Sequence, residues 1–519
     1  MTLAVFGVSV GLSLLALLAG AAYWLAHPKK SDSAGDLLLH PLAEGVYIYR
    51  GFFSNSAVFV LDTAVVVIDT QVAPRAAKRL RREIEKLTPK PIAYVINTHY
   101  HGDHSGGNAA FPEATIIATA DTARYVQERD SERVEYANTF GLDFVEVHPT
   151  VPPARTFNGD LELQIGDDKI VLMQRGRVET PDACVVWWPR MQALACGDGV
   201  ATRDYPYLGV PFLDEGLRDD GSWIGYLEAV KALAPEVLVP GHGPALVGKE
   251  TIARRLDLLV RLMRDLLANV KAELAKQRPL QEIVEIVDRR LARYRRRSDL
   301  REQTVSQRFA IYRCINNLLP DRNGRGWWHD FRPSVVQRAP VEAARLELAR
   351  TGDVHARIDE LIRKKRGPLA HAVLDLHLAA HPDDAAAWGR LADLCFVAAS
   401  TVMPKVDATE YIVLATQAAK KALAIDPNNA LGLLNHGAAA VFGGVVLAQP
   451  MDQAIATLER ALAAGLPSFA HKARARFLVG RAHQAEERDV AADEWYRAML
   501  PPGTRLLFPL VRDRIRMLL

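Results

Sequence analysis

The sequence has little cysteine and almost no excess of charge of either sign. Its 519 residues include only four cysteines, and the formal net charge is +3. The cysteines are widely spaced among apolar neighbours, which favours small core residues over a disulfide framework or a thiolate metal site. A charge this close to zero indicates neither a nucleic-acid-binding protein nor an acidic tail. The length allows for roughly three domains of ordinary size.

An uninterrupted apolar run lies at the N-terminus. Residues 3–26 carry no charge and, at about 1.5 Å per residue, are long enough to cross a hydrocarbon core of about 30 Å. A signal peptide is the alternative, but the segment lacks a basic n-region and is longer than a usual h-region. The sequence therefore predicts a single-pass membrane protein, with an anchor at residues 1–28 and a linker at residues 29–40. Two lysines after the run favour a cytoplasmic body but leave the side of the membrane open.

Short strand patterns begin after the linker. Residues 45–49, 55–61 and 65–70 are rich in β-branched side chains and are separated by turn residues, which predicts hairpins of a first sheet. Residues 74–87 then have the spacing of an amphipathic helix with arginine and lysine on its polar face. This order predicts a helical crossover onto a further strand.

A dense group of metal-ligand residue types follows that further strand, residues 91–97. The group contains His99, His101, Asp103 and His104. In an extended segment His99 and His101 point the same way, and the glycine that follows allows the next two ligands to turn towards a second centre. Four ligands within six residues can therefore serve two metal ions. Exposed histidines in a polar loop are the alternative, which this density of ligand types disfavours.

The run from His99 to His104 resembles the His-x-His-x-Asp-His motif of the metallo-β-lactamase superfamily, and the resemblance covers about residues 40–250. It implies an αββα sandwich that holds one or two metals at a sheet edge. It also implies that Asp69, which closes an apolar strand, supports a ligand from behind; a turn residue or a helix cap is the alternative for this aspartate. Asp198 matches the bridging aspartate of the superfamily, and His242 matches its last histidine.

Glu179 stands where most members of the superfamily have a third histidine. A carboxylate is a competent zinc ligand, and a glutamate here is similar to the alkylsulfatase branch, in which two histidines and a glutamate hold the first metal. The resemblance implies two Zn²⁺ ions per chain, with other divalent metals as alternatives. The implied ligands are His99, His101 and Glu179 for the first metal and Asp103, His104 and His242 for the second, with Asp198 between them. Alkylsulfatases carry a glutamate at the Asp198 position, and their Thr-Leu-Arg-Gly segment is missing here.

The charge of such a site bears on its substrate. Two divalent ions, three carboxylates and a bridging hydroxide sum to zero, so an anionic substrate would need cations from the protein. The candidate substrate-binding residues are Arg177, Arg203, Tyr205 and Tyr207, each of which is, taken alone, more ordinary as a solvated loop residue. Asp103 and Asp198 are the candidate catalytic residues, because either can orient a metal-bound hydroxide and accept its proton.

Strand patterns end after His242. The sequence predicts a catalytic domain at residues 41–250, a helical connector at 251–338 and an α-helical, tetratricopeptide-like domain at 339–519. Similar junctions surround three prolines of the last domain, Pro382, Pro427 and Pro467. This domain resembles the alkylsulfatase dimerisation domain, which implies a homodimer. No cluster of ligand residues is visible in its sequence.

The predicted fold class is α+β: a metallo-β-lactamase αββα sandwich, then a repeat-like helical domain, with an N-terminal transmembrane helix. The predicted function is a membrane-tethered, binuclear-zinc hydrolase that cleaves an amphiphilic sulfate ester by attack of a metal-bound hydroxide. One alternative is hydrolysis of a thioester, lactone or phosphodiester by the same fold. The other is a membrane-anchored scaffold with a vestigial hydrolase domain. The expected partners are the small ester, a second copy of the chain and the membrane, without nucleic acid.

Overall fold

A computed structural model describes most of the chain. The described residues are 39–51, 54–128, 150–209, 216–297, 299–301, 305–319, 336–401, 405–446 and 450–500. All of them lie within one compact unit, Leu37–Phe508. Because this unit spans both the strands and the helices that follow them, the predicted domain limits stay a prediction.

The strands all precede residue 248, and they alternate with a few helices. They are β1 (Leu39–Ala43), β2 (Val46–Arg50), β3 (Asn55–Val60), β4 (Val65–Ile68), β5 (Ile92–Ile96), β6 (Thr115–Thr119), β7 (Arg155–Phe157), β8 (Asp160–Ile165), β9 (Asp168–Met173), β10 (Val185–Trp188), β11 (Ala193–Ala195), β12 (Val237–Val239) and β13 (Leu246–Val247). The helices among them are α1 (Pro74–Leu87), α2 (Gly102–Ser105), α3 (Ala120–Glu128) and α4 (Ser222–Ala232).

The part of the chain after β13 is helical wherever it has regular structure in the described residues. Its helices are α5 (Lys249–Leu274), α6 (Leu280–Arg290), α7 (Ala292–Arg295), α8 (Gln307–Leu318), α9 (Val341–Ala349), α10 (Val354–Arg363), α11 (Gly367–Ala380), α12 (Ala385–Thr401), α13 (Lys405–Ile425), α14 (Ala430–Val446), α15 (Asp452–Ala463), α16 (Phe469–Ala485) and α17 (Asp489–Met499).

The first sheet contains β1 to β7 in chain order. Neighbouring strands are antiparallel from β1 to β4 and parallel from β4 to β7. The four residues of β4 show how the sheet is buried: Val65 and Val67 contribute to one apolar core, and Val66 and Ile68 contribute to another. Side chains alternate between the faces of a strand, so an all-apolar strand requires cover on both faces.

The second sheet has the order β13-β12-β11-β10-β9-β8, and only its β11–β12 pair is parallel. The two sheets share one core, to which Phe59 contributes from the first and Trp188 from the second. Leu80 of α1 lies in the core on the outer face of the first sheet, and Trp223 of α4 lies in the core on the outer face of the second. The sheet domain is therefore an αββα sandwich, as predicted.

The helices α9 to α17 form two apolar clusters, one centred on α9 to α13 and the other on α14 to α17. The three proline-containing junctions lie between helices. At each junction one side chain accepts a hydrogen bond from a backbone N–H three residues on: Asp384 at 2.9 Å, Asn429 at 2.8 Å and Ser468 at 3.3 Å. Each junction therefore ends one helix and caps the start of the next.

Salt bridges join the last helices to the sheet domain. Arg75 in α1 donates to Glu486, with Nη1 2.6 Å from Oε1. Arg79 and Arg82 lie 3.0 and 2.7 Å from Glu487. The arginine-rich face predicted for this helix thus contacts the C-terminal end of α16.

The structure corrects the predicted membrane architecture. None of the helices in the described residues is both long enough and apolar enough to cross a membrane. The 26-residue α5, for example, is long enough, but charged residues recur along its length, and each is costly in hydrocarbon. The segment predicted as an anchor, residues 1–28, lies outside the described residues. The fold is accordingly a sheet domain followed by a helical region, and the prediction of a single-pass membrane protein has no support.

Candidate metal centre

Two parallel strands of the first sheet place Asp69 beside Thr98. Ile68 of β4 is paired with Ile96 of β5, so the residues after these strands leave the sheet at the same edge. Asp69 has a φ of 62°, a left-handed conformation that aspartate adopts more readily than most residues. The backbone N–H of Thr98 donates to Asp69 Oδ1, and its hydroxyl donates to Oδ2, both at 2.8 Å. The carboxylate is therefore held at the base of the histidine-rich loop.

The parallel strands β11 and β12 of the second sheet bring Asp198 and His242 close together in a similar way. Register pairing of β11 and β12 brings the loops that follow them to one edge. Asp198 lies in the short 3₁₀ turn Gly197–Gly199, and the N–H of Gly241 donates to the carbonyl of Gly197 at 2.8 Å. A Cβ atom on Gly241 would lie only 2.1 Å from Asp198 Oδ1. The two loops thus approach so closely that residue 241 requires a glycine.

Aromatic residues of α4 support the Asp198 turn, and the sequence alone did not reveal them. Trp223 Nε1 donates to the carbonyl of Gly199 at 2.9 Å, and the Tyr226 hydroxyl donates to that of Cys196 at 3.0 Å. Asn55 braces the neighbouring loop by donating to the carbonyl oxygen of Pro240 at 3.0 Å. The sequence offered little sign of these supporting contacts, because a tryptophan, a tyrosine and an asparagine are common in helices and strands.

Asp198 lies at the centre of the converging side chains. Its Oδ2 atom is 3.9 Å from His99 Nε2, 3.5 Å from His104 Nε2 and 3.3 Å from His242 Nε2. Asp103 Oδ2 lies 3.0 Å from His242 Nε2 and 3.2 Å from His104 Nε2. Three imidazole nitrogens therefore surround two carboxylate oxygens.

Glu179 brings a further carboxylate to the cluster. It is buried in the loop between β9 and β10, and its Oε1 atom lies 3.5 Å from His101 Nδ1. The structure thus brings together all seven residues predicted as ligands. Their ligand atoms form three overlapping groups, each within 4.8 Å: His99, His104 and Asp198; Asp103, His104 and His242; His101, Glu179 and Asp198. One group, Asp103, His104 and His242, is the set predicted for the second metal, whereas His99 falls with His104 and not with Glu179.

Hydrogen bonds orient two of the imidazoles. His104 Nδ1 lies 2.9 Å from Asp69 Oδ2, and His99 Nδ1 lies 3.0 Å from the Thr98 hydroxyl oxygen. Because the Thr98 hydroxyl already donates to Asp69, the Nδ1–H of His99 is the donor in the second contact. In its neutral form each ring then presents Nε2 without a proton to the cluster, and Nε2 is the atom a metal would bind. Thr98 is a supporting residue that the sequence signalled only by its position before His99.

The buried charges keep His99, Asp103 and Asp198 in metal-binding forms. Burial lowers the pKa of His99 well below its usual value, and repulsion from the neighbouring histidines acts in the same direction. Burial alone would raise the pKa of Asp103 and Asp198, but the adjacent histidines outweigh it and hold both values well below the usual range. A neutral imidazole and ionised carboxylates are the forms that bind divalent metals.

His104 shows that the cluster favours a positive charge. Burial lowers its pKa, but the carboxylates of Asp103, Asp198 and Asp69 outweigh burial and raise the pKa well above its usual value. A cation placed among these three carboxylates is therefore stabilised, and a divalent ion would supply that charge in place of a proton.

Unsatisfied polar atoms provide an independent test of whether a metal fits. His99 Nε2, His104 Nε2 and Asp198 Oδ1 are buried and have no hydrogen-bond partner among the described residues. Buried polar atoms in native proteins are nearly always paired. Imidazole nitrogens and carboxylate oxygens are also the donors that zinc prefers besides thiolates. The residues present therefore fit a divalent metal.

The four candidate substrate-binding residues have different surroundings. Tyr205 is buried, and its hydroxyl donates to Gln307 of α8 at 2.8 Å. Tyr207 stacks on Phe309 of the same helix, with ring centroids 5.7 Å apart. These contacts place both tyrosines against α8, and their substrate role stays a prediction. Arg177 is exposed in the loop that carries Glu179, and Arg203 is half-buried.

Comparison with known proteins identifies the class of the sheet domain. Residues 49–242 match the family model of the metallo-beta-lactamase superfamily. This part of the chain is a metallo-β-lactamase superfamily domain, and the predicted resemblance is confirmed.

Among curated relatives, a linear primary-alkylsulfatase from Pseudomonas sp. is 22% identical over 240 residues, which cover 40% of this chain and 44% of that protein. A type 2 metallo-beta-lactamase from Bacillus cereus is 26% identical over 249 residues, which cover 45% of this chain and 86% of that protein. The chain therefore spans less than half the length of the alkylsulfatase.

Among solved structures, a stereoselective inverting sec-alkylsulfatase from Pseudomonas sp. matches with a TM-score of 0.54 at 18% identity. The match covers 74% of this chain and 66% of that one, slightly less than two thirds of its length. At this identity the likeness establishes the fold, and it extends beyond the sheet domain into the helices.

Proposed function

We propose that the protein is a metal-dependent hydrolase that holds two zinc ions and cleaves an amphiphilic sulfate ester. The observation that carries this proposal is the convergence of seven imidazole and carboxylate side chains at one edge of the sandwich. Three of their atoms are buried without a hydrogen-bond partner in the described part of the chain. A vestigial domain in a scaffold protein would not be expected to keep such a complete set, so this alternative is disfavoured.

The proposed ligands are the seven clustered residues: His99, His101, Asp103, His104, Glu179, Asp198 and His242. Asp198 is the proposed bridge, because its Oδ2 atom is within 4 Å of three imidazole nitrogens. Asp69 is the proposed supporting residue, since it accepts hydrogen bonds from both Thr98 and His104.

When bound, divalent metals lower the pKa of a coordinated water from 15.7 to about 7 and polarise the ester oxygen. The protein residues contribute position and charge. Asp103 and Asp198 are the proposed catalytic residues, because their carboxylates would accept a hydrogen bond from the attacking water and receive its proton. Contacts with His104 and His242 hold both carboxylates in place, which would keep them oriented towards the attacking water.

Two features support a sulfate ester as the substrate. Glu179 lies beside His101, one of the two histidines with which the resemblance to alkylsulfatases groups it. Both a curated relative and a solved structure with a similar fold are alkylsulfatases. Because three carboxylates neutralise most of the metal charge, the sulfate group needs further cations. Arg177 and Arg203 are the residues that we propose for this role.

A second candidate is a thioester, lactone or phosphodiester hydrolase that uses the same centre. Asp198 favours this alternative, because the alkylsulfatase branch has a glutamate at the bridge. The segment after Asp198 also lacks the Thr-Leu-Arg-Gly sequence that supplies an anion-binding arginine in that branch. The substrate, and not the metal centre, is what separates the two candidates.

The test is sulfate release from linear alkyl sulfates by the zinc-loaded protein, compared with its Glu179→Ala variant. We expect the substitution to lower kcat/KM by about 100-fold or more, which corresponds to ~2.7 kcal/mol of transition-state stabilisation. The matched control is Glu162→Ala, which removes an exposed carboxylate of β8 that pairs with Lys169 at 2.9 Å. This control should leave the rate unchanged.

The outcomes separate the metal centre from the substrate. Release that Glu179→Ala abolishes and Glu162→Ala preserves supports both the sulfate ester and the ligand role of Glu179. Two bound zinc ions without sulfate release from the wild-type protein would overturn the sulfate assignment and leave the second candidate. Absence of bound zinc would overturn the metallohydrolase proposal itself.

A further inference from the structure

A second group of histidines and a carboxylate lies in the helical region, outside the sheet-edge cluster. It consists of His355 in α10, His377 in α11 and Asp384, which precedes α12. Nε2 of His377 lies 2.8 Å from Asp384 Oδ2, and Nε2 of His355 lies 3.2 Å from the same oxygen. The ligand atoms of the three residues are all within 4.8 Å of one another. Two helices and the residue that caps a third therefore contribute one potential metal ligand each.

The central oxygen of this group is held in place. Asp384 Oδ1 accepts a hydrogen bond from the backbone N–H of Ala387 at 2.9 Å and so caps α12. The cap leaves Oδ2 directed at the two imidazoles. An aspartate carboxylate is ionised at neutral pH, so Oδ2 is available as an anionic ligand.

The surroundings are suited to a small cation. The side chains of His355, His377 and Asp384 are 32, 13 and 19% exposed, so the group is shielded from bulk water yet accessible from it. Nδ1 of His355 is buried and has no hydrogen-bond partner within the described residues. Nε2, the other ring nitrogen, is the atom that contacts Asp384.

The distances also agree with coordination. Two ligands about 2.1 Å from a tetrahedral zinc ion are roughly 3.4 Å apart. The two nitrogen–oxygen distances, 2.8 and 3.2 Å, are close to this separation. Small side-chain adjustments would suffice to admit an ion among the three atoms.

We propose that His355, His377 and Asp384 bind one zinc ion, which links α10, α11 and α12. Two imidazole nitrogens and one carboxylate oxygen make up a ligand set that zinc uses, with a water molecule in the fourth position. Imidazole ligands select zinc and similar transition metals over magnesium and calcium. Because the ligands come from three helices, the ion would stabilise their packing and take no part in ester hydrolysis.

The test compares zinc content and thermal stability of the full chain with those of three variants, His355→Ala, His377→Ala and Asp384→Asn. After equilibrium dialysis against zinc, elemental analysis should find about one zinc ion fewer per chain in each variant. The part of the zinc-induced rise in Tm that belongs to this site should be lost as well. Sulfate release should be unchanged, which separates this site from the sheet-edge centre.

The matched control is His471→Ala. His471 Nε2 lies 3.0 Å from Asp393 Oδ2, so the two form another histidine–aspartate pair of the helical region. Among the described residues, His471 belongs to none of the groups that could hold a metal. The control should retain the zinc content of the wild type. If His377→Ala fails to fold, His377→Gln decides the question, because an amide can still hydrogen-bond to Asp384 but is a poor zinc ligand. Equal zinc content in the wild type and all folded variants would overturn the proposal and leave a hydrogen-bonded network.

Discussion

The two groups of histidines and carboxylates in this protein are held by different kinds of scaffold. Most residues of the sheet-edge cluster follow β5, β11 or β12, whose ends are fixed by parallel pairing of β4 with β5 and of β11 with β12. Glu179 is the exception, because it follows β9. His355 and His377 of the helical group lie within helices, and only Asp384 of that group follows a helix end. The first scaffold fixes backbone positions through strand register, whereas the second relies on the packing of helices.

This difference determines how the ligands are supported. In the sheet-edge cluster, Asp69 connects the Nδ1 side of His104 to Thr98, which in turn contacts His99. One carboxylate thereby orients two imidazoles. The helical group has no comparable residue behind its histidines in the described structure, and Nδ1 of His355 has no partner there. The sheet-edge cluster is thus preorganised for metal binding, and the helical group is less so.

We expect the largest effect from a substitution of Asp69, the residue that supports the histidines in the sheet domain. Asp69→Asn keeps a residue that tolerates the φ of 62° but replaces the Oδ2 acceptor with an amide donor. The amide would donate to His104 Nδ1 and move the ring proton to Nε2, the atom that faces the cluster. We expect the zinc affinity to fall by about 10- to 100-fold. Competition with a chromophoric chelator measures it.

Asp62→Asn is the matched control for this substitution. Asp62 is an exposed aspartate of the same domain, and its carboxylate contacts Arg190 at 3.4 and 3.5 Å. Zinc affinity should be unchanged in this variant. An Asp69→Asn protein that binds zinc as tightly as the wild type would show that Asp69 does not orient the histidines.

A second substitution tests how closely the two loops of the second sheet must approach. In Gly241→Ala the new methyl group would lie 2.1 Å from Asp198 Oδ1 and 2.7 Å from His104 Cε1. We expect a loss of stability of about 1–3 kcal/mol from overpacking and a displaced Asp198 carboxylate. Urea unfolding measures the stability, and zinc content measures the displacement.

Gly225→Ala provides the control for the second substitution. Gly225 lies in α4, and a Cβ atom there would meet nothing within 4 Å. Alanine is a better helix former than glycine, so this variant should be unchanged or more stable by up to about 1 kcal/mol. If the two variants behave alike, the close approach at Gly241 does not constrain the site.

Local patterns predicted the elements that carry the sheet-edge cluster. Residues 74–87, predicted as a helix from their apolar spacing, form α1 with the same limits. The position of the histidine-rich run after β5 was also predicted, because strand patterns and turn glycines can be recognised within a few residues of sequence. Asp198 and His242, in contrast, depended on a resemblance, since a single Gly-Asp or Gly-His carries little information alone.

Contacts between distant segments were not readable from the sequence. Thr98 is a support only because β4 places Asp69 beside it, and Tyr205 lies in the core only because α8 packs on its loop. The helical group was missed for the same reason, as His355 and His377 are separated by a helix boundary and have no local ligand spacing. The membrane anchor was predicted from apolar composition alone. Among the described residues, no helix is both long enough and apolar enough to span a membrane.

The smallest expected effect concerns the contact between the two regions, where Arg75 of α1 pairs with Glu486 after α16. Both side chains are partly exposed, so a double-mutant cycle of Arg75→Ala and Glu486→Ala should give a coupling energy of about 0.5–1 kcal/mol. Burial raises the pKa of Glu486, but the hydrogen bond from Arg75 outweighs it and lowers the pKa. The coupling is therefore present above the unfolded pKa of about 4.3 and is lost as the pH falls through the lower folded value.

The exposed pair Arg81–Glu85 within α1 is the control and should give no more than about 0.5 kcal/mol. Equal coupling in the two pairs would mean that Arg75 and Glu486 add nothing specific to the docking of the helical region on the sheet domain.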